Sequence, residues 1–200
     1  SLSFLIDASV GGSIFSNTNK TGKYTGVLAN TLSGRDAEHG GLWYYTAAMG
    51  NNVRLPESPS YSVSSDGLYY AQVNGQSTRV YQDGIMVEGV TESGSKNEEV
   101  VSAEKYYHRI YSIAEANVYD ASYVKLREVA LSYRLPRLWT QKLHLQEASV
   151  TLTGRNLWTI YKSVPNIDPE SALTTGNAQG VEAYSLPTTR SFGVNLSVKF

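Results

Sequence analysis

The 200-residue sequence contains no cysteine, which excludes a disulfide framework and any thiolate metal site. It has no run of about 18 apolar residues, so it offers no candidate transmembrane helix. Its formal net charge is −1 and it has no basic cluster, so nothing indicates nucleic acid or an anionic surface as a partner. Phenylalanine is scarce, with four residues, whereas tyrosine occurs fifteen times. Tyrosine suits surfaces that are half apolar and half wet, such as binding faces and membrane interfaces.

The N-terminus lacks the cationic segment, the apolar core and the cleavage site that mark a secretory leader. The chain begins instead within a segment that alternates like a strand. We therefore expect it to be a fragment or a processed piece of a larger protein.

The clearest pattern is the strict alternation at the C-terminus, in residues 190–200. This period predicts a β-strand with one apolar and one polar face. The segment is about as long as a tilted strand needs to cross a bilayer, roughly 9–11 residues. Similar alternation predicts three further long strands, at about 2–10, 122–135 and 148–160. The apolar residues of the last strand occupy every second position: Phe192, Val194, Leu196, Val198 and Phe200.

The connections between these strands are long, short and long, at 11–121, 136–147 and 161–189. Outer-membrane barrels are wired in this way, with short periplasmic turns and longer extracellular loops. If the chain ends in the periplasm, 136–147 is a periplasmic turn and the other two connections are extracellular. Four strands cannot close a barrel and would leave exposed edges, so we expect them to complete a larger one. The predicted fold class is all-β: the C-terminal four antiparallel strands of a large transmembrane β-barrel, with a long extracellular loop containing short helices and hairpins.

Alternation also assigns side chains to the two faces of the predicted sheet. The apolar face would contact lipid and comprises Leu2, Phe4, Ile6, Val129, Leu131, Tyr133, Val150, Leu152, Val194, Leu196 and Val198. The opposite face would line a lumen or contact a plug, and its charges are expected to pair with one another or with plug residues rather than to contact substrate. It comprises Asp7, Glu128, Arg134, Arg155, Asn195 and Lys199. By the same count, Lys125 and Arg127 fall on the outward face near its extracellular end, where they would contact anionic headgroups or solvent.

The long connection 11–121 contains weaker local signals. A short helix is predicted across Tyr24 to Leu32, and a longer one over 102–115 with Ser102 as its N-cap. One or two helical turns are also expected within 137–143. Turn dipeptides separate short β-like pieces such as 68–73 and 79–82, and these are Asp66-Gly67, Asn74-Gly75 and Asp83-Gly84.

No catalytic, cofactor or metal site is predicted. The three histidines show no metal-ligand spacing, and no G-x-S-x-G nucleophile motif occurs. Asp168 and Glu170 resemble the carboxylate pair of a glycosidase, and with Asn166 they could ligate calcium. Asp-Pro in a loop is, however, typical of a turn, and the regular spacing of a calcium loop is missing.

An aromatic group in the long connection provides the candidates for contact with a ligand or with a lid protein. Aromatic rings stack on sugar faces and also anchor protein interfaces, so both roles stay open. Several of these rings are also expected to pack the long connection internally. The group comprises Trp43, Tyr44, Tyr45, Tyr61, Tyr69, Tyr70 and Tyr81.

Several segments together resemble the C-terminal end of the SusC/RagA family of TonB-dependent outer-membrane transporters. The strongest are Y-V-K-L-R-E-V-A-L-S-Y-R-L-P (123–136) and L-T-G-R-N-L-W-T (152–159), followed by N-I-D-P-E (166–170) and the terminal strand. Weaker matches lie upstream: G-G-S-I-F-S-N-T (11–18), L-S-G-R-D (32–36), D-G-I-M-V-E-G-V (83–90) and V-V-S-A-E-K-Y-Y (100–107). The resemblance covers nearly the whole chain.

The resemblance implies nutrient uptake across the outer membrane of a Gram-negative bacterium, with an oligosaccharide or, in some members, a peptide as substrate. Such a transporter is a barrel of about 22 strands with a plugged lumen. The implied partners are the plug and the N-terminal strands of the same barrel, a SusD-like surface lipoprotein as lid, TonB acting through the plug, and outer-membrane lipid. A C-terminal strand ending in Phe resembles the signal for barrel insertion, so Phe192 to Phe200 are expected to direct assembly with the C-terminus in the periplasm.

A soluble β-sandwich that binds carbohydrate is the alternative, because its core strands alternate in the same way and its loops would also be rich in tyrosine.

Overall fold

The computed structural model describes residues 1–56, 59–142, 144–171, 176 and 178–200. Parts of all three predicted connections, 11–121, 136–147 and 161–189, therefore lie outside the described residues. In chain order the strands are β1 Leu2–Ser9, β2 Ser13–Ser16, β3 Leu42–Thr46, β4 Asn52–Arg54, β5 Tyr61–Val63, β6 Tyr69–Val73, β7 Gln76–Met86, β8 Val100–Ser102, β9 Val118–Asp120, β10 Tyr123–Arg134, β11 Glu147–Lys162, β12 Val181–Glu182 and β13 Ser191–Lys199. The helices are α1 Asn17–Thr25, α2 Ala103–Ser112 and α3 Arg137–Lys142, with short 3-10 turns at Ala29–Leu32 and Glu115–Asn117.

The all-β prediction is confirmed, because most of the regular structure is antiparallel strand. Within the described residues, no helix is long and apolar enough to cross a membrane. The chain divides into two compact units, which we call the strand unit (1–18 and 117–200) and the inserted unit (19–116).

The strand unit is built around a four-stranded antiparallel sheet in the order β1-β10-β11-β13. A small sheet in the order β12-β2-β9 accompanies it. In the large sheet, Leu131 lies opposite both Leu2 and Leu152, and Leu152 lies opposite Val194. Residues directly opposite one another share a face, so these four side chains form an apolar row across all four strands.

Parallel rows extend this apolar surface in both directions along the sheet. Phe4, Val129, Gly154 and Phe192 form the adjacent row, and Tyr133, Val150 and Leu196 form the next one on the other side. The described residues leave this face uncovered: Phe4 is 65% exposed, Leu152 50% and Val194 74%. A large apolar surface of this kind marks a site of contact with lipid or with another protein.

The opposite face of the sheet is polar and paired within itself. Arg155 Nε donates to Glu128 Oε2 at 2.8 Å, directly across β10 and β11. The hydroxyls of Ser132 and Thr151, on the same pair of strands, form a hydrogen bond of 2.8 Å. Arg134 pairs with Glu147 at 2.9 Å near the other end of the sheet.

The prediction that Lys125 and Arg127 lie on the outward face is wrong. Leu5 pairs with Glu128 and Ile6 with Leu126, so Arg127 is an additional residue in β10 that has no counterpart in β1. Such a β-bulge reverses the alternation beyond it. Lys125 therefore shares the polar face with Asp7, its partner in the register, and its side chain is only 3% exposed.

The inserted unit is a sheet in the order β4-β3-β7-β6-β5, with β8 added to β7. Asn74 and Gly75 both have positive φ and form the tight turn between β6 and β7, as their sequence predicts. Asp83-Gly84 is not a turn, because it lies within β7. A Cβ on Gly84 would lie 2.5 Å from the Leu42 carbonyl oxygen, so glycine there permits close packing of β3 on β7.

The helices follow the sequence in part. Ser102 caps α2, since its Oγ accepts a hydrogen bond from the Lys105 amide at 3.3 Å. The helix predicted across Tyr24 to Leu32 is wrong, because α1 ends at Thr25 and only a 3-10 turn follows. Gly26, at φ +70°, stops the helix in the left-handed conformation that glycine adopts readily.

Candidate functional site

A cluster of charged side chains on the polar face of the strand unit joins β10 to the loop segment that follows β11. Lys125 Nζ lies 2.5 Å from Asp168 Oδ1 and 2.5 Å from Glu170 Oε2. Arg127 Nη2 lies 2.7 Å from Asp7 Oδ2 and also pairs with Glu170. Three carboxylates thus face two cations, which leaves one formal negative charge that hydrogen bonds must stabilise.

Asp168 is held by donors on both carboxylate oxygens. Besides Lys125, the Glu170 amide donates to Oδ1 at 3.1 Å. The Thr188 hydroxyl donates to Oδ2 at 2.7 Å and the Thr188 amide at 3.2 Å. Burial by itself raises the pKa of Asp168, but the bonds from Lys125 and Thr188 outweigh it and lower the pKa to about 2.

This pKa has a consequence for stability in acid. The ordinary pKa of Asp168 is 3.8, and the folded value is lower. Its ionised form therefore stabilises the folded state above about pH 4, and this contribution is lost as the pH falls toward 2. In Asp168→Asn the urea midpoint should fall less steeply between pH 4 and pH 2 than in the wild type. Equal slopes would show that Asp168 does not contribute to the acid transition.

The D-P-E and K-L-R-E segments singled out from the sequence therefore contact one another. The Tyr123 hydroxyl donates to Glu170 Oε1 at 3.0 Å. Burial raises the pKa of Glu170, but the hydrogen bonds from Arg127 and Lys125 outweigh burial and lower the pKa below its ordinary value. Asp168 and Glu170 are thus occupied by cations rather than free for acid–base chemistry. Within the described residues, no group of three or more acidic or histidine side chains has the arrangement to hold a metal ion.

The R-N-L segment of β11 supports the same cluster. Asn156 has φ +52° and forms the irregularity at which β11 changes register with β10. Its side chain accepts from Arg127 Nη1 at 3.3 Å and donates to the Thr189 carbonyl at 3.2 Å. Asparagine suits this position because it tolerates the left-handed conformation and also supplies a donor and an acceptor.

A second buried carboxylate organises the small sheet of the strand unit. Glu182 is fully buried and accepts from the hydroxyls of Ser16 at 2.7 Å and Thr18 at 2.6 Å. The amides of Ser185 and Thr18 add bonds of 3.1 and 3.3 Å. Burial raises the pKa of Glu182, but these donors lower it below its ordinary value. The role of this carboxylate is structural, because its hydrogen bonds hold β12 against β2.

The aromatic candidates of the inserted unit are brought together, mostly in its core. Trp43 is 7% exposed and packs with Ala71 and Val80. Its ring stacks on Tyr61 with centroids 4.9 Å apart and meets Tyr69 edge-on at 5.6 Å. These contacts are sufficient to explain the position of Trp43 by packing alone.

The other members of the aromatic group differ in accessibility. Tyr44 is 4% exposed and stacks on Tyr81 at 5.1 Å. Tyr45 packs partly buried against the Trp43 cluster, and Tyr70 lies opposite Arg79 in the β6–β7 pair. Tyr61 is the most accessible of the group, at 50% exposure.

Sequence reasoning missed another aromatic surface in the inserted unit. Tyr24 stacks on His108 with centroids 4.1 Å apart and an interplanar angle of 17°. Tyr107 and Glu104 lie on the same face of α2 as His108, at helical spacing. The i, i+3, i+4, i+7 spacing of positions 104, 107, 108 and 111 was the sequence signal for this face of the helix.

The terminal strand β13 pairs with β11 in unbroken antiparallel register, from Lys199 opposite Glu147 to Ser191 opposite Arg155. All of its residues are exposed, and Phe200 beyond it is 84% exposed. Its apolar residues, Phe192, Val194, Leu196 and Val198, continue the apolar face of the sheet. The strand occupies an edge of that sheet in the described part of the chain.

The four-stranded sheet thus has one uncovered apolar face and one charged, internally paired face, an arrangement typical of β-proteins whose apolar face contacts lipid or another protein. No protein-family model matches the chain. It is similar to TonB-dependent receptor P3 of Formosa agariphila, with 34% identity over 94 residues that make up 44% of this chain. The match spans 9% of the length of that protein. The similarity is to a TonB-dependent receptor, and it extends over less than half of this chain.

Proposed function

We propose that the chain is part of an outer-membrane TonB-dependent transporter of the SusC/RagA type. The observation that carries this proposal is the apolar face of the four-stranded sheet, with rows such as Leu2–Leu131–Leu152–Val194 that no described residue covers. Lipid would cover such a face in a membrane. Three of the four strands are long enough for this: β10, β11 and β13 have 12, 16 and 9 residues, whereas a tilted strand crosses a bilayer with roughly 9–11.

In this proposal the polar face looks into the lumen, and the ion-pair cluster lies there. Residues 11–121 and 161–189 are extracellular loops, 136–147 is a periplasmic turn, and the C-terminus is periplasmic. The edge strands β1 and β13 pair with other strands of the same barrel, whose plug contacts TonB. The lumen-facing cluster around Lys125 anchors the second extracellular loop to the barrel wall.

The substrate in this proposal is a nutrient, an oligosaccharide or a peptide, received together with a SusD-like surface lipoprotein. Both would meet the inserted unit, which lies in the first extracellular loop. Of the aromatic group at positions 43–81, Tyr61 offers the largest accessible ring for contact with ligand or lid.

A soluble carbohydrate-binding β-sandwich is less consistent with the structure. A sandwich requires a second sheet packed on the apolar face of the first. In the described residues that face is uncovered, and the small β12-β2-β9 sheet has its own core of Ile14, Val164 and Ile167. Membrane fractionation tests the choice: we expect the full protein in the outer-membrane fraction. A soluble, monomeric and cooperatively folded chain would refute the transporter.

Deletion of Phe200 should reduce assembly into the outer membrane several-fold without changing ligand affinity in the protein that does assemble. Phe200 follows the edge strand on the apolar side, so its loss removes part of the surface by which the strand is recognised and inserted. The measurement is the heat-modifiable, protease-resistant fraction in isolated outer membranes. Ser197→Ala, a change on the polar face of the same strand, is the matched control and should assemble normally. Normal assembly of the deletion with weakened ligand binding would overturn this role.

A further inference from the structure

The inserted unit contains a pocket of about 570 Å³ whose lining combines aromatic rings with charged groups of both signs. Its volume lies within the range of about 300–1,000 Å³ that is typical of small-molecule sites. The side chains used below are Tyr24, Arg35, Asp83, Glu104, Tyr107 and His108. None of them belongs to the aromatic group at positions 43–81.

The aromatic part of the pocket consists of tyrosine rings that neighbouring residues hold in place. Tyr24 is 45% exposed; His108 stacks nearly parallel on its ring with centroids 4.1 Å apart, and Tyr111 contacts the ring in a tilted arrangement at 4.9 Å. Tyr107 is fixed by its hydroxyl, which lies 3.1 Å from the Asn30 carbonyl and 3.0 Å from the Ser33 carbonyl. Rings held in this way contribute contact area without a large loss of side-chain entropy when a ligand binds.

The polar part of the pocket is also held in place before any ligand arrives. Arg35 Nε donates to the Thr31 carbonyl at 2.8 Å, Nη2 donates to the Thr31 hydroxyl at 2.9 Å, and Nη2 also bonds the Gly26 carbonyl. Asp83 accepts from the Tyr44 hydroxyl through Oδ1 at 3.2 Å, which leaves Oδ2 as a further acceptor. Glu104 makes no ion pair or side-chain hydrogen bond with the described residues.

We propose that this pocket binds one or two rings of a neutral saccharide. A pyranose presents a C–H face that packs on an aromatic ring and an edge of hydroxyl pairs that donate to carboxylates. Tyr24 supplies the first kind of contact, and Asp83 and Glu104 supply the second. The lining cations Lys23 and Arg35 balance the two carboxylates, so the pocket has no net charge to favour an anionic or cationic ligand.

This proposal rests on the proposed transporter function. It goes beyond that function by placing a saccharide contact on α2 and the end of α1. The transporter function and the saccharide pocket are tested, and would be refuted, by different experiments. Membrane fractionation tests the transporter, whereas a binding measurement on the purified full protein tests the pocket.

The test is saturation-transfer NMR of the full protein in detergent with the methyl glycosides of glucose, galactose, mannose and xylose. We expect ring-proton signals from at least one of the four with the wild type. Tyr24→Ala should weaken binding of that glycoside at least about tenfold, and Tyr24→Phe, which keeps the ring, should bind like the wild type. Glu104→Gln should also weaken binding, because a carboxylate is a stronger acceptor than an amide.

Lys105→Gln is the matched control for Glu104→Gln, since it neutralises the neighbouring exposed position of α2 outside the pocket. It should bind like the wild type. Amide hydrogen exchange of α2 should be unchanged in every variant, so that a loss of binding does not reflect unfolding. Absence of signal from all four glycosides, or equal binding by Tyr24→Ala and the wild type, would overturn the proposal.

Discussion

Replacement of Lys125 by methionine should lower the free energy of unfolding of the strand unit by about 3–5 kcal/mol. Methionine replaces the aliphatic part of the lysine side chain but leaves Asp168 without its cation in a site where that carboxylate is 7% exposed. It also removes one of the two cations of Glu170. The loss is large because an unpaired buried charge retains its desolvation cost.

Equilibrium urea unfolding of the full protein in detergent measures this effect. Arg109→Met is the control, since it breaks a pair with Glu99 in which both side chains are about 60% exposed. That change should cost less than about 1 kcal/mol. If Lys125→Met cost no more than Arg109→Met, the cluster would be only a surface contact and would not anchor the loop segment at 168–170.

Replacement of Trp43 by alanine should destabilise the inserted unit by about 3–5 kcal/mol. The indole is the largest side chain in the core cluster with Ala71 and Val80, and its removal leaves a cavity between β3, β6 and β7. Amide hydrogen exchange in β3 and β7 measures the loss, and exchange should be faster by at least about a hundredfold.

Tyr61→Ala separates the packing role of this cluster from a binding role. Tyr61 is half exposed, so its removal should accelerate exchange much less than removal of Trp43. If Trp43→Ala left exchange unchanged, the ring would contribute little to the core. Its sequence-based assignment as a contact for ligand or lid would then become the better explanation of its presence.

The architecture of the strand unit could be predicted from the sequence because each face of its sheet has a single character. In residues 191–200 the apolar and polar positions alternate without exception, and that pattern is enough to predict a strand and its two faces. The pairing of Glu128 with Arg155 was also within reach, since both fall on the polar face and carry opposite charges. The alternation of apolar and polar residues shows which face of each strand is apolar, and this is most of what the sequence has to specify for such a sheet.

The orientation of Lys125 was beyond such reasoning because a bulge leaves almost no trace in composition. Counting by twos from Val129 places Lys125 on the apolar face, and only the additional residue Arg127 brings it to the other side. One indirect signal was present. Asn156 interrupts an otherwise favourable strand, and asparagine in a strand often marks a position with positive φ.

The inserted unit was the least predictable part, for a different reason. Its strands β4, β5 and β8 have three residues each, too few to show a period. Asn74-Gly75 could be assigned because its turn requires particular residues. The pocket beside Tyr24 could not, because its lining comes from α1, the segment around Arg35, β7 and α2, which only the tertiary structure brings together.

The bulge at Arg127 also determines how the length of β10 can vary. Without residue 127, β10 would alternate against β1 without interruption, and Leu126 and Val129 would keep their present sides. Loss of a residue elsewhere, such as Ala130, would turn over every side chain on one flank of the gap. Position 127 is therefore the place in this strand where the loss of one residue changes the local charge and leaves the flanking side chains on their present faces.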